Sequence, residues 1–389
     1  MLAKPRRRPQ GDGTMYRKAD GRWCCEITIN GKRYQDYGKT ERDVAAKLTA
    51  IKVEHATGKL VKPSRRTVGD LLWLWFDATR QSKAEKTYVS DKSTIHRHIA
   101  SKVGARRAGA STRLGKTPIT KVEPAHIQVL LADLETKGKG VRTRQLVLGV
   151  LHQAFAWAVL PNRWLRYNPC DGTPKPKNLA PRAIRSLTEE ERAKLLDAAR
   201  GDRLEALYVL ALTVGGRFGE LLGLFWDDID LKNGKVTISH TLLDIGRRLE
   251  RKPKLKRGGP RTIKLASIAV AALREHREKA FAEGQRANPW VFHDEAGQPL
   301  HQRDVTVDSF QPLLDRAGLP RMHFHDLRHS FASLMLKAGV PLMVVSAILG
   351  HARPSTTLNY YGHVLPGMHD AAIEQLDASL NRQYTVKTF

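Results

Sequence analysis

The sequence predicts a multidomain protein, because neither its length nor its hydrophobic pattern fits a single domain. At 389 residues the chain is longer than a typical domain. Apolar residues alternate near the N-terminus, recur at helical spacing in the middle and follow a mixed pattern in the remainder. We therefore expect a small β-sheet-plus-helix module over residues 1–66, an all-α domain over 67–175 and a mixed, mainly α domain with a small antiparallel sheet over 182–389.

The N-terminal module is predicted from a hairpin pattern followed by a helix. Asn30-Gly31 is a two-residue turn signal, and a strand-like run extends on each side of it. Thr40 with Asp43 three residues later resembles a capping box, which marks the start of a helix. The apolar positions of the first run alternate with polar ones; they are Trp23, Cys25, Ile27 and Ile29.

The middle region is predicted to be all helical, because its apolar residues recur every three or four positions. The prolines between Asn168 and Pro181 end this region as a linker. One predicted apolar face comprises Val68, Leu71, Leu72, Trp75 and Phe76, and another comprises Val147, Val150, Leu151, Ala154, Phe155 and Ala158.

The last region mixes helical and strand patterns. Thr188 and Glu191 form a capping box, and the run from Leu204 to Thr213 is apolar enough for a buried helix. Asn233-Gly234 precedes a strand-like segment, and a basic hairpin-like stretch follows it. Helical segments are then expected towards the C-terminus.

Composition favours a polyanionic partner. The chain has 66 Lys and Arg against 39 Asp and Glu, a formal net charge of +27, and such an excess favours nucleic acid, with DNA and RNA both open on charge alone. Apolar runs fall short of the ~20 residues of a membrane span, and the basic N-terminus lacks the apolar core of a signal peptide. Three cysteines provide neither a disulfide framework nor a CxxC zinc pattern. We expect a cytoplasmic protein.

Four clusters in the last region contain residues suited to chemistry on a phosphate. Arg217 lies in a glycine-rich break between apolar segments, where its planar guanidinium can reach a phosphate or cap a helix. Residues 252–259 form a basic turn, which alone would indicate only a solvated run of charge.

The other two clusters contain histidines and tyrosines. His325, Arg328 and His329 share one face at a helix start. A metal site there is disfavoured, because the spacing differs from the HxHxDH and HExxH patterns. His351 is followed by Tyr360 and Tyr361. A phenol with a pKa near ~10 needs nearby cations and a base before it can attack a phosphodiester, so a buried structural tyrosine remains the alternative for this cluster alone.

Together the four clusters resemble the tyrosine recombinase family. The segments His-Asp-Leu-Arg-His-Ser-Phe-Ala-Ser at 325–333 and Leu-Gly-His at 349–351 are similar to the second and third boxes of that family. Residues 356–364, Thr-Thr-Leu-Asn-Tyr-Tyr-Gly-His-Val, are similar to its nucleophile segment. The resemblance implies the tyrosine recombinase fold of phage and integrative-element integrases. In that fold an arm-type DNA-binding module (1–66) and a helical core-binding domain (67–175) precede the catalytic domain (182–389).

The resemblance also implies roles for individual residues. Arg217 and Arg328 would clamp the scissile phosphate, while His325 and His351 would donate hydrogen bonds and move protons, His325 helping to deprotonate the tyrosine. Tyr361 would attack phosphorus to leave a 3′-phosphotyrosine, with Tyr360 as the alternative nucleophile. Lys256, in a Pro-Lys-Leu-Lys segment, would protonate the leaving 5′ oxygen, with Lys254 as the alternative. Glu220 would orient an arginine or a histidine. Neither a metal nor another cofactor is implied.

The implied partners are double-stranded DNA attachment sites and three further copies of the chain, forming a tetramer on DNA in the bacterial nucleoid. A host DNA-bending factor and an excision factor are further candidate partners. Two alternatives remain at this point: a type IB topoisomerase-like relaxing enzyme and a catalytically inactive DNA-binding regulator. The segment from Pro366 to Leu380 would pack either on a neighbouring subunit or on its own domain.

Overall fold

The computed structural model divides the chain into two compact units, residues 1–180 and 181–389. The structure describes residues 12–57, 60–61, 64–101, 111–177, 185–245, 248–253 and 259–361, together with 373–374, 376–378 and 380. Lys254 and Lys256 lie outside these residues, as does most of the segment from Pro366 to Leu380. The division at residues 66 and 175 stays a prediction.

The first unit begins with the predicted sheet and helix. Strands β1 (Thr14–Arg17), β2 (Trp23–Ile29) and β3 (Lys32–Gly38) pair antiparallel in that order. Asn30 and Gly31 both have positive φ angles, 50° and 72°, as a tight hairpin turn with the twist of the strands requires. Helix α1 (Glu41–Ala56) starts at the predicted Thr40–Asp43 capping box, and a small core of Cys25, Ile27, Val44 and Leu48 joins helix and sheet.

The rest of the first unit is helical, as predicted. Both predicted apolar faces are buried in one core, which explains why the 3.6-residue periodicity identified them. The helices are α2 (Val68–Ala78), α3 (Glu85–His98), α4 (Arg113–Lys116), α5 (Pro124–Thr136) and α6 (Val141–Val159), with short 3₁₀ turns at Arg80–Ser82 and Ile119–Lys121.

The second unit is mainly helical around a buried central helix. Helix α7 (Glu189–Ala199) starts at the predicted Thr188–Glu191 capping box, and α8 (Glu205–Val214) is buried along nearly its whole length. Its helices are α7 (Glu189–Ala199), α8 (Glu205–Val214), α9 (Phe218–Leu222), α10 (Ser267–Ala282), α11 (Gln302–Asp304), α12 (Gln311–Arg316), α13 (His325–Lys337), α14 (Leu342–Leu349) and α15 (Pro354–Tyr361). A 3₁₀ turn covers Trp226–Asp228, and a π-helical stretch covers Val305–Phe310 between α11 and α12.

The described strands of the second unit form two small antiparallel sheets. One has the order β4 (Ile229–Asp230), β5 (Lys235–Ile238), β8 (Arg261–Lys264), and the other pairs β6 (His240–Ile245) with β7 (Arg248–Pro253). The predicted fold class is confirmed. It consists of a sheet-plus-helix module, a helical domain and a mainly helical domain with small antiparallel sheets.

No helix among the described residues is both long enough and apolar enough to cross a membrane.

Candidate active site

Arg217 stands in a sharp turn between two helices. Helix α8 ends at Gly215, whose φ of +63° lies in the left-handed region, and Arg217 itself is the N-terminal cap of α9. A Cβ atom at Gly215 would lie 2.3 Å from Cδ1 of Phe331, so this turn requires glycine for conformation and for space. At Gly216 a Cβ atom would lie 2.6 Å from Cδ2 of Leu221. Leu221 therefore fills the space that a larger residue at 216 would need.

A buried carboxylate fixes Arg217. Glu220 is 2% exposed and accepts hydrogen bonds from the Arg217 backbone nitrogen at 3.1 Å and from its Nη1 at 2.7 Å. The same carboxylate accepts a bond from Nη2 of Arg261, a strand β8 residue, at 2.7 Å. Arg261 also donates from Nε to the Ile348 carbonyl at 2.6 Å. The prediction that Glu220 orients an arginine agrees with these contacts.

Arg328 and Arg217 converge on the turn that follows α14. Arg328, in α13, is 3% exposed and donates to the carbonyls of Gly215 and Leu349, both at 2.7 Å. Arg217 donates from Nη2 to the carbonyl of the next residue, Gly350, at 3.2 Å. Burial lowers the pKa of Arg328, and the neighbouring Arg217 acts in the same direction. A phosphate arriving here would offset that crowding of positive charge.

His351 follows this turn directly and shares its charged surroundings. Its Nδ1 lies 2.7 Å from Oγ1 of Thr357, a residue of α15. Desolvation lowers the pKa of His351 to about 4, and the charges of Arg328, Arg217 and Arg261 act in the same direction.

His325 lies at the surface of the first turn of α13. Partial desolvation lowers its pKa to about 4, with further lowering by His329, Arg328 and Arg217. Both histidines are therefore neutral at pH 7 in the free protein.

Tyr361 is buried beside this group, whereas Tyr360 is exposed. Tyr361 is 1% exposed and Tyr360 is 46% exposed. The Tyr361 hydroxyl lies 2.5 Å from Nδ1 of His329. Burial raises the pKa of Tyr361 to about 12, while the charge of Arg328 lowers it. Arg217, His325, Arg328, His351 and Tyr361 thus lie in one region of the second unit.

His329 is the residue whose contact the sequence interpretation missed. In the sequence, its spacing of four from His325 bears only on a metal site. In the described part of the chain, no group of three or more His, Cys, Asp or Glu side chains is arranged to hold a metal ion. The signal for the actual contact was weak, because the partner, Tyr361, lies 32 residues further along the chain.

Known proteins resemble this chain in sequence and in fold. Residues 185–367 match the model of the phage integrase family. A protein from Caldanaerobacter subterraneus subsp. tengcongensis described as "Tyrosine recombinase XerC-like" is 30% identical over 375 residues, which cover 90% of this chain and 93% of the relative.

Two solved structures share the fold. The Tn1549 transposon integrase in complex with a circular intermediate DNA superposes with a TM-score of 0.67 at 22% identity, covering 79% of this chain and 99% of that chain. A lambda integrase tetramer bound to a Holliday junction superposes with a TM-score of 0.54 at 20% identity, covering 90% and 96%.

Fold and sequence similarity together define an enzyme that breaks and rejoins DNA. The chain belongs to the tyrosine recombinase family and is a site-specific recombinase. The resemblance stated from the sequence is confirmed, and the comparisons do not favour the relaxing-enzyme and inactive-regulator alternatives.

Proposed function

We propose that this chain integrates a phage or another mobile element by cutting DNA with Tyr361. The hydroxyl attacks the scissile phosphorus, the bond to the 5′ oxygen breaks, and a 3′-phosphotyrosine and a free 5′-OH result. That 5′-OH then attacks the phosphotyrosine of a partner duplex. The phosphodiester energy is retained in the covalent intermediate, so the cycle needs no nucleotide cofactor. The observation that carries this proposal is the convergence of Arg217 and Arg328 on the carbonyls of Leu349 and Gly350.

The two arginines are proposed to hold the non-bridging oxygens of the phosphate. Each terminal guanidinium nitrogen carries two hydrogens, so N–H groups remain after the carbonyl contacts. Negative charge builds on those oxygens in the transition state, and donors fixed in advance stabilise that charge most effectively. The ion pair with Glu220 fixes Arg217 in the required orientation.

His325 and His351 are proposed to complete the phosphate site. Both are neutral before DNA binds, because desolvation lowers their pKa values and the neighbouring cations act in the same direction. The negative charge of the phosphate raises their pKa values, which lets them donate hydrogen bonds to its oxygens. Lys256 is proposed as the acid for the 5′ oxygen, with Lys254 as the alternative; both lie between β7 and β8 in the sequence, outside the described residues.

The proposed partners are duplex attachment sites and three further copies of this chain. The net charge of +27 suits a DNA partner, and the relatives with the same fold were solved on DNA, one of them as a tetramer on a Holliday junction. We further propose a host bending factor, an excision factor and a location in the bacterial nucleoid.

The test is covalent capture on a nicked suicide duplex that carries a candidate crossover site. The nick lets a short strand diffuse away after cleavage, so the covalent adduct accumulates. Wild-type protein in EDTA is expected to give an adduct on a denaturing gel, Tyr360→Phe is expected to retain it, and Tyr361→Phe is expected to lose it. If DNA is bound but no adduct forms, the inactive-regulator alternative replaces this proposal. Relaxation of a supercoiled plasmid without strand exchange would favour the topoisomerase-like alternative.

A further inference from the structure

His329 is the histidine in contact with the reacting atom of Tyr361. Its Nδ1 lies 2.5 Å from the Tyr361 hydroxyl oxygen, within hydrogen-bond reach. The rings are 5.6 Å apart at 55°, so they meet at an angle rather than stack. Since the phenol carries the proton, the hydroxyl donates and Nδ1 accepts, which places the imidazole proton on Nε2.

His325, the histidine expected to assist the tyrosine, is placed differently. Its ring meets the His329 ring edge to face, with centroids 5.1 Å apart. Desolvation, His329 and the cations Arg328 and Arg217 all favour the neutral form of His325. His325 therefore lies beside His329 and close to both arginines.

We propose that His329 is a further catalytic residue, the proton acceptor for Tyr361 during formation of the phosphotyrosine. The Tyr361 oxygen forms a bond to phosphorus, and its proton passes to Nδ1 of His329, which becomes an imidazolium. The bond from phosphorus to the 5′ oxygen breaks, and that oxygen takes a proton from a separate acid. In the reverse step the imidazolium returns its proton to the departing tyrosine oxygen. This inference rests on the proposed role of Tyr361 as the nucleophile.

The surroundings of His329 suit a residue that accepts a proton and later returns it. On its own helix, His325 is the adjacent titratable ring and Arg328 the adjacent cation. From α15, Tyr360 faces it with a ring separation of 5.9 Å, and Tyr361 forms the hydrogen bond. A tyrosine is ordinarily protonated at neutral pH, and burial raises the pKa of Tyr361 further. The attack therefore requires a base at the hydroxyl, and a positioned base contributes about 10²–10⁴-fold to such a step.

The experiment compares His329→Asn with His329→Phe. Asparagine keeps a hydrogen-bonding atom near the position of Nδ1 but does not titrate, whereas phenylalanine keeps only the ring. His301→Asn, in the same unit, is the matched control. Adduct formation is measured from pH 5.5 to 9.5 on a duplex with a 5′-bridging phosphorothioate, because a thiolate leaves without a proton and the rate then reports on the nucleophile. Melting temperature and DNA affinity are measured for each variant to separate a folding defect from a chemical one.

The proposal predicts that both His329 variants lose about 10²–10⁴-fold in rate at pH 7. The rate of adduct formation by wild type and by His301→Asn should rise with pH to a plateau. The rate for both His329 variants should keep rising towards pH 9.5. A His329→Asn variant with the wild-type rate and pH profile overturns the inference, because the contact would then serve only to position Tyr361. If wild type forms no adduct on Tyr361, the proposed function fails and this inference fails with it.

Discussion

At the scale of single residues, the site depends on one carboxylate shared by two arginines. Glu220 binds Arg217 and Arg261, and these three side chains are linked through Ile348 and Gly350 to the turn that ends in His351. Arg261 is 9% exposed at its side chain, so its charge depends on Glu220 for compensation.

Glu220→Gln tests this link, because it keeps the shape of the side chain and removes its charge. Breaking a buried ion pair costs about 3–5 kcal/mol, so we expect the free energy of unfolding to fall by roughly that amount. The rate of adduct formation should fall as well, since Arg217 loses its fixed orientation. Denaturant unfolding and the suicide-duplex assay provide the two readings, with the exposed Glu190→Gln as the control. Equal stability and rate in both variants would show that Glu220 has no such role.

At the scale of the elements, two helices of the site end at glycines with left-handed backbone angles, and these helix ends bring distant segments together. Gly215 ends α8 and Gly350 ends α14, with φ angles of +63° and +64°. Arg328 donates hydrogen bonds to the carbonyl of Gly215 and to the carbonyl of Leu349, the residue before Gly350. Helix α13 therefore fixes the spacing of two loops that supply Arg217 and His351.

Gly215→Ala should destabilise the second unit more than Gly201→Ala. Both glycines have positive φ, +63° and +74°, but a Cβ meets Phe331 at 2.3 Å in the first case and nothing within 4 Å in the second. Left-handed strain alone costs about 1–3 kcal/mol, and the clash adds about 1–3 kcal/mol for Gly215. Thermal melting of the two variants measures the difference. Equal losses would mean that Phe331 moves aside without cost.

Elements were predictable from the sequence where local patterns determine them. The capping boxes at Thr40 and Thr188 and the Asn30-Gly31 turn were all found as predicted, because each is formed by residues within a few positions of one another. The burial of Cys24 was not predicted, since the alternating pattern assigned only its neighbours to the core.

The site was predictable in its residues but not in its contacts. The motifs contain Arg, His, Arg, His and Tyr in that order. The bonds of Arg217 to Gly350 and of Arg328 to Gly215 span 133 and 113 positions, and no local pattern encodes them. The contact of Tyr361 with His329 rather than His325 depends on how α15 packs on α13, which only the structure provides.

At the scale of the whole molecule, desolvation and the concentration of positive charge at this site affect the pH dependence of stability. His325 and His351 have pKa values of about 4 in the folded protein, below the usual value of 6.5. Below pH 6.5 the unfolded chain takes up protons at these positions while the folded protein does not. Stability is therefore fully present above pH 6.5 and falls as the pH drops towards 4.

A His325→Gln/His351→Gln double variant should lose less stability than wild type between pH 7 and pH 4.5, because its glutamines do not titrate. Urea unfolding at both pH values gives the comparison. The carboxylates are the same in both proteins, so the effect of their titration on the free energy of unfolding cancels in the difference. An equal or larger loss in the double variant would contradict the lowered pKa values.

The central claim, that buried Tyr361 rather than exposed Tyr360 attacks DNA, is tested most directly by mapping the adduct. After wild-type protein is trapped on the suicide duplex, nuclease and trypsin leave a short nucleotide on one peptide. Because the two tyrosines are adjacent in one peptide, fragment ions of that peptide must show which tyrosine carries the nucleotide. The account predicts the nucleotide on Tyr361. A nucleotide on Tyr360, or on any other residue, would contradict it.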